Sequence, residues 1–418
     1  MIILGIETSC DETALSLIEA TGDLTVPNFK ILGTALHSQI ELHKQYGGVF
    51  PMMAKREHAK NIIPLFDSLM QKNILAKVSD GEKIVGENKN ESGAVILDEA
   101  TQNLIKEIFK KETDLAENFI EYISKTSKQK IDMIAVTSGP GLEPALWVGI
   151  NFAKVLSLVW NIPLLPVNHM EGHILSVLSE ASLDQNKISN INFPAIALLI
   201  SGGHTEIVLV KSFGDYQIIG QTVDDAVGEA FDKVARILDL EYPGGPKISK
   251  LANEAEKIIT AETYLKITAE LSEKNMLIKL PRPMLNTPDY NFSFSGLKTA
   301  VLYLVKKLKE QNLYNDNTRK LVAKEFQDAC IEVLSKKVSR AINEYSAQSL
   351  IIGGGVIANT EIRQEFLKLN NDFFKVYIPE MSLATDNAVM IAFAGYLSQF
   401  KTTPTINPDI KAEGNLRL

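Results

Sequence analysis

The sequence predicts an α/β protein of two related lobes, and three observations carry that reading. The chain opens with an apolar run, Ile2 to Ile6, followed by the polar loop Glu7-Thr-Ser-Cys-Asp-Glu-Thr13 and a second apolar run, Ala14 to Ile18. The same unit recurs in mid-chain as Ile196 to Ile200, then Ser201-Gly-Gly-His-Thr205, then Glu206 to Val210. Short apolar runs bounded by turn residues are strand signals. Finally, 418 residues exceed what one hydrophobic core usually organises, so two lobes are expected.

Either polar loop alone reads as an ordinary turn. Such loops also present backbone N–H groups and hydroxyls, which suits a phosphate, and the carboxylates of the first loop could also hold a cation. Two copies of strand, polar loop and strand in one chain are far more specific than one. They predict the actin-like ATPase (ASKHA) architecture, with a nucleotide in the cleft between the lobes.

The other elements follow in order. Lys30 to Ser38 reads as a third strand and His43 to Val49 as a turn. Pro51 to Lys72 reads as a helix with an apolar face of Ile62, Ile63, Leu65, Phe66 and Leu69. Residues 74–118 are charged and turn-rich at first, then helical in period, and are expected to form a surface insertion, a hairpin plus one helix; a disordered excursion is the alternative. Ile131 to Thr137 reads as a strand, Ser138-Gly-Pro-Gly-Leu142 as a glycine-rich turn and Ala145 to Val159 as a helix. Asp224 and Asp225 are expected in the first turn of a helix, where the dipole favours acids. Tyr242 to Pro246 reads as a tight loop. Ser349 to Asn359 reads as strand, triple glycine and helix start, and glycines let a flat ligand approach the backbone. Ser382 to Asn387 precedes an apolar helix, Ala388 to Tyr396. The lobes are accordingly expected at 1–165 and 166–397, the second carrying the metal and nucleotide sites, with a tail at 398–418.

Composition narrows the class. Hydrophobic residues make up 45% of the chain and charged residues 22%, as in soluble enzymes. Two cysteines, Cys10 and Cys330, give no disulfide framework, so a reducing compartment is expected. The first residues lack a basic signal region, and no apolar run approaches the roughly 18 residues of a membrane span. No membrane contact is therefore expected. With a net charge of −8, nucleic acid must be held through a local basic patch or with help from partners.

The most informative stretch is Pro166-Val-Asn-His-Met-Glu-Gly-His173. Residues four apart share a helix face, so His169 and His173 make a half-site for a borderline metal such as Zn²⁺ or Fe²⁺. The plainer alternative is two histidines on an ordinary helix. A zinc protease of the His-Glu-x-x-His type is excluded, because its general base must follow the first histidine directly. That position is Met170, and Glu171 is turned about 200° away from His169. Asp386, taken alone, reads as a helix N-cap.

Taken together, Gly5 to Thr13, Asn168 to His173, Ser201 to Thr205, Asp225 to Lys233, Pro243 to Pro246, Phe294 to Lys298, Gly353 to Asn359 and Thr385 to Asn387 resemble the motifs of the bacterial tRNA N6-adenosine threonylcarbamoyltransferase family, in content and in order, from residue 2 to about 397. The resemblance implies an actin-like fold, a cytoplasmic protein and transfer of a threonylcarbamoyl group from threonylcarbamoyl-AMP to N6 of adenosine 37 in tRNAs reading codons that begin with A. It implies His169, His173 and Asp386 as ligands of one divalent metal per subunit, Fe²⁺ ahead of Zn²⁺. It implies Leu199, Ile200, Ser201, Gly202, Gly203, Asp232, Gly245 and Asn359 as adenylate-binding residues. Implied partners are tRNA, an inactive paralogue subunit and a small P-loop ATPase.

The chain departs from the family pattern in three places. The 74–118 stretch is long, Met52-Met53 stands where an acid is expected, and Glu143-Pro144 stands where small residues are expected. AMP is the leaving group, so no covalent nucleophile is needed, and neither Ser9 nor Cys10 is expected to carry the acyl group. Asp11 and Glu12 are the acidic candidates for a general base. The rivals are an actin-like kinase or ATPase, which would need a catalytic aspartate with Mg²⁺ rather than two histidines, and a non-catalytic scaffold subunit, which would be expected to lack the pair.

Overall fold

The computed structural model describes residues 1–79, 95–179, 191–259, 262–406 and 408–418. The chain divides into two compact units, Met1–Ser189 with Asp386–Leu418, and Asn190–Thr385.

The first unit carries strands β1 (Ile2–Glu7), β2 (Glu12–Thr21), β3 (Asn28–Ser38), β4 (Met133–Gly139) and β5 (Leu164–Asn168). Their order across the sheet is β3-β2-β1-β4-β5. β1, β2 and β3 form an antiparallel meander, and β4 and β5 add in parallel beyond β1. β1 is buried at every residue, as expected of a strand covered on both faces.

The second unit carries β6 (Ala195–Ile200), β7 (Thr205–Ser212), β8 (Asp215–Gln221), β9 (Ser349–Gly353) and β10 (Lys375–Tyr377). Their order, β10-β9-β6-β7-β8, repeats the first sheet read from the other end. β6 to β8 are again antiparallel, and β9 and β10 are again the parallel additions. This repetition is the duplicated actin-like topology that the two strand–loop–strand units predict.

Helices of the first unit are α1 (Ile40–Lys44), α2 (Pro51–Ser79), α3 (Glu99–Ile108), α4 (Thr113–Lys125), α5 (Glu143–Trp160) and α6 (His169–Leu175). The second unit has α7 (Val227–Ile237), α8 (Gly244–Ile259), α9 (Glu262–Glu273), α10 (Ser295–Glu310), α11 (Asp316–Glu344) and α12 (Thr360–Leu367). The chain then returns to the first unit with α13 (Ala388–Ser398). α13 is apolar on every side and buried from Ala388 to Leu397, so it must be covered all round. It packs on β1, β2 and β4. Gly5 permits this approach, since a Cβ there would sit 2.2 Å from the Ala388 carbonyl oxygen.

Several expectations change. The division does not fall at 165/166. β5 pairs in parallel with β4, which keeps His169 and His173 in the first unit, and α13 brings Asp386 there too. Residues 398–418 are not a separate tail: Leu164 pairs with Thr405, and the Lys154 ammonium donates to the Ile410 carbonyl at 2.7 Å.

The described part of 74–118 is not a surface insertion. Ile105, Phe109, Leu115 and Ala116 lie in the first unit's core, with the Phe109 ring 6.0 Å from Phe119 and Phe119 5.8 Å from Phe152. Helices α3 and α4 stand where a hairpin and one helix were expected, and residues 80–94 lie outside the described residues. His43 sits in α1 rather than in a turn.

Asp224 and Asp225 precede α7 instead of opening it. Asp224 accepts hydrogen bonds from the Ser293 and Ser295 hydroxyls, and Asp225 pairs with Lys233 at 2.7 Å. Glu143-Pro144 forms the first turn of α5, where proline's fixed φ and missing N–H are tolerated. Met52, in the first turn of α2, is exposed. No helix among the described residues is long and apolar enough to cross a membrane.

Candidate metal centre and cavity

β5 ends at Asn168, whose side-chain oxygen caps α6 by accepting from the Met170 and Glu171 backbone N–H groups. That cap starts the helix on His169 and so stacks His169 and His173 one turn apart on one face. Their rings meet edge to face, centroids 4.6 Å apart. Asp386, on the residue before the Asn387 cap of α13, completes a trio. Its Oδ1 lies 3.4 Å from His169 Nε2 and 3.2 Å from His173 Nε2. The three donor atoms all lie within 4.8 Å of one another. Glu171 is outside the trio, 3.5 Å from the Ser398 hydroxyl, as its helical position requires.

The trio suits a metal ion. His173 is fully buried, and neither ring nitrogen makes a hydrogen bond of acceptable geometry; the Nε2 contact to Asp386 is a short distance without alignment. A buried imidazole left in this state is costly unless something else engages it. Two imidazole nitrogens and one carboxylate oxygen are a donor set for Fe²⁺ or Zn²⁺ that leaves coordination positions free.

Behind His169 stands a carboxylate whose pairing with that histidine sequence reasoning missed. Glu7, fully buried at the end of β1, places Oε2 2.9 Å from His169 Nδ1. The same oxygen accepts from the Thr137 hydroxyl at 2.7 Å, and Oε1 accepts from the Ser9 backbone N–H. The Ser9 hydroxyl lies 3.3 Å from His169 Nδ1. The available signal was a lone carboxylate closing a wholly apolar strand, which demands a partner.

Charges follow this geometry. Burial opposes a charge on His169, but Glu7 and Asp386 outweigh it and hold the imidazole well above its ordinary range. Burial likewise opposes charge on Asp386, and His169 overcomes it, holding the carboxyl far below the usual range. Burial lowers His173 and outweighs the opposing pull of Asp386.

Of the acidic candidates, Asp11 lies in the β1–β2 turn and Glu12 opens β2. Glu12 takes a long contact of 3.4 Å from the Ser38 hydroxyl, and the Asp11 carbonyl accepts from Gln39 N–H. Burial, then the charges of Asp386 and Asp11, push the Glu12 carboxyl up to about 10. Neither residue belongs to the converging trio. The turn is also anchored by His58, whose Nε2 is 3.0 Å from the Cys10 carbonyl and whose Nδ1 is 2.8 Å from the Thr13 hydroxyl.

The second unit holds a cavity of about 680 Å³. Of the eight residues expected to hold adenylate, Gly202, Asp232, Gly245 and Asn359 line it. Leu199 and Ile200 do not; they are buried at the end of β6, where their side chains pack into the unit. Ser201 and Gly203 form the following turn, with the Ser201 hydroxyl accepting from the Gly203 and His204 N–H groups. Asp232 accepts from Gly244 N–H at 2.6 Å, which ties α7 to the start of α8 at the cavity wall. Burial raises its carboxyl above the ordinary value. The Asn359 oxygen caps α12, and its amide donates to Gln327 at 2.8 Å. Within the triple glycine, Gly355 faces the cavity. Gly354 does not: its φ is +92°, and a Cβ there would meet the Ile200 carbonyl at 2.5 Å.

Comparison with known proteins places the chain in a family. Residues 30–85 and 113–393 match the family described as TsaD, tRNA N6-adenosine threonylcarbamoyltransferase. The tRNA N6-adenosine threonylcarbamoyltransferase of Nitrosomonas europaea is 38% identical over 399 residues, covering 95% of this chain and 92% of that protein. The enzyme of the same name from Thermosipho africanus is 38% identical over 421 residues and covers all of both chains. Among solved structures, component A of the (R)-2-hydroxyglutaryl-CoA dehydratase of Acidaminococcus fermentans superposes with a TM-score of 0.43 at 11% identity, covering 96% of this chain and 98% of that one.

Proposed function

The chain belongs to the tRNA N6-adenosine threonylcarbamoyltransferase family, and from that premise we propose that it transfers a threonylcarbamoyl group from threonylcarbamoyl-AMP to N6 of adenosine 37 in tRNA, with AMP released. The observation that carries the reading is the convergence of His169, His173 and Asp386 in a chain that matches transferases of this name over its whole length. Neither the kinase nor the scaffold alternative draws support from any residue described above.

The reaction joins the exocyclic amine of adenosine to the carbamoyl carbon. The bond from that carbon to the phosphate oxygen breaks, AMP departs with the electron pair, and the amine loses a proton. An exocyclic amine is a weak nucleophile, so the carbonyl must be polarised and the two groups held together. His169, His173 and Asp386 are the residues that would hold a divalent metal. Bound there, the metal would supply Lewis acidity toward the carbonyl oxygen. Two histidines and one carboxylate with open positions are a ligand pattern of both non-haem iron and catalytic zinc, and the family resemblance puts Fe²⁺ ahead of Zn²⁺.

The 680 Å³ cavity has a size and glycine lining suited to the adenylate portion, with Asp232, Gly245 and Asn359 on its wall. Asp232 has a backbone partner already, so its role is to fix the wall as much as to meet ligand. Ser9 and Cys10 need no covalent role, and burial together with Asp11 and Asp386 raises the Cys10 thiol well above its ordinary value, which disfavours the reactive thiolate. Glu12 remains the general-base candidate only if tRNA or metal changes its surroundings, because a carboxyl with an affinity near 10 keeps its proton at neutral pH. An inactive paralogue subunit and a small P-loop ATPase are the proposed partners, and the cytoplasm is the proposed compartment.

The test is direct. The chain, with the two partner proteins, is incubated with threonylcarbamoyl-AMP and unmodified tRNA, and the tRNA nucleosides are analysed by mass spectrometry. Threonylcarbamoyl-adenosine is expected with the parent chain and not with His173→Ala. Its absence from the parent reaction contradicts the proposal.

A further inference from the structure

We propose that Glu7 is a positioning residue of the metal centre, orienting His169 so that Nδ1 carries the proton and Nε2 is presented as the ligand. This rests on the metal reading above and adds to it a residue outside the trio.

The placement begins with strand register. β1 pairs in parallel with β4, Ile6 opposite Val136, and β4 pairs with β5, Thr137 opposite Val167. The ends of three adjacent strands therefore bring Glu7, Thr137 and the start of α6 side by side. A wholly buried carboxylate is tolerated only when its oxygens are engaged. Glu7 meets that demand with the Ser9 N–H, the Thr137 hydroxyl at 2.7 Å and His169 Nδ1 at 2.9 Å.

Oε1 already accepts from the Ser9 N–H and Oε2 from the Thr137 hydroxyl, so Glu7 is the acceptor in the His169 contact and the shared proton belongs to Nδ1. That leaves Nε2, 3.4 Å from Asp386 Oδ1, as the nitrogen turned toward the trio. A carboxylate that accepts from a metal-binding imidazole fixes the ring and makes it a stronger donor. It also balances charge, since Glu7 and Asp386 together match a divalent cation.

The two histidines are thereby unequal. Nothing comparable backs His173, whose Nδ1 has no hydrogen-bond partner. His169 has a carboxylate near each ring nitrogen, whereas His173 has one only near Nε2.

The experiment measures Zn²⁺ affinity of the full chain by competition with a chromophoric chelator, and the Co²⁺ electronic spectrum, for the parent, Glu7→Gln, Thr137→Val and His173→Ala. Glu7→Gln keeps the shape of the side chain but removes its charge. It should weaken Zn²⁺ binding about 10- to 100-fold and shift the Co²⁺ ligand-field bands. Thr137→Val should give a smaller loss in the same direction. A purely structural Glu7 would instead lower the thermal midpoint of the metal-free protein and leave affinity and spectrum unchanged. Parent-like affinity and spectrum in Glu7→Gln overturn the inference. If Glu7→Gln does not fold, parent-like affinity in Thr137→Val overturns it. A parent chain that binds Zn²⁺ no better than His173→Ala overturns the metal reading itself, and this inference with it.

Discussion

Asn387, and not its neighbour Asp386, caps the helix that follows them. Its side-chain oxygen accepts from the Met390 N–H at 3.0 Å, while the Asp386 carboxylate stands 3.2 Å from His173 Nε2. The two adjacent residues thus have separable duties. Asn387→Ala should cost about 1 kcal/mol of stability, as lost N-caps do, measured by urea unfolding of the full chain. A change too small to resolve would show that the cap is dispensable to this buried helix.

The cavity makes a second, cleaner distinction between glycines. A Cβ on Gly245 meets nothing within 4 Å, whereas one on Gly354 meets the Ile200 backbone. Gly245→Val should fold normally and lose adenylate affinity about tenfold or more, roughly 1.4 kcal/mol, by calorimetry. Gly354→Val should chiefly lose stability, so it is a poor probe of binding. Parent-like adenylate affinity in a folded Gly245→Val protein would remove the cavity from the binding site.

Much of this was legible in the sequence, for identifiable reasons. The strands β1, β2, β6 and β7 announce themselves as apolar runs around polar loops. His169 and His173 announce themselves by spacing. Asp386 was ambiguous because Asn387 is as good a cap, and only the helix geometry decides between them. The partners of Glu7 were not legible, because Thr137 and His169 lie 130 and 162 residues away from it. The unit boundary was misjudged because β5 and α13 join the first sheet through pairing and packing that no local pattern reveals. Leu199 and Ile200 carry a family motif, but as strand residues their side chains point into packed layers.

Helices α3 and α4 yield a third prediction. Phe109 is fully buried against Phe119, so Phe109→Ala should cost about 3–5 kcal/mol. Replacement of residues 76–116 by a short linker should abolish soluble expression. Folding that survives both changes would mean that this packing contributes little.

The net charge of −8 bears on tRNA. The chain alone should bind tRNA weakly, with a dissociation constant of about 10⁻⁴–10⁻⁶ M at physiological salt and a steep loss as salt rises. Filter binding across a salt series measures both. Tight, salt-insensitive binding by the isolated chain would require a recognition surface of a different kind.

The central claim is that His169, His173 and Asp386 hold a metal needed for transfer. It is tested most directly by the metal content of Asp386→Asn, determined by elemental mass spectrometry beside the parent and Asn387→Ala. Asparagine keeps the shape of aspartate but loses the charged ligand oxygen. The account predicts about one metal ion per chain in the parent and in Asn387→Ala, and a large fall in Asp386→Asn that is matched by loss of threonylcarbamoyl transfer. A fully metallated, active Asp386→Asn protein would contradict it.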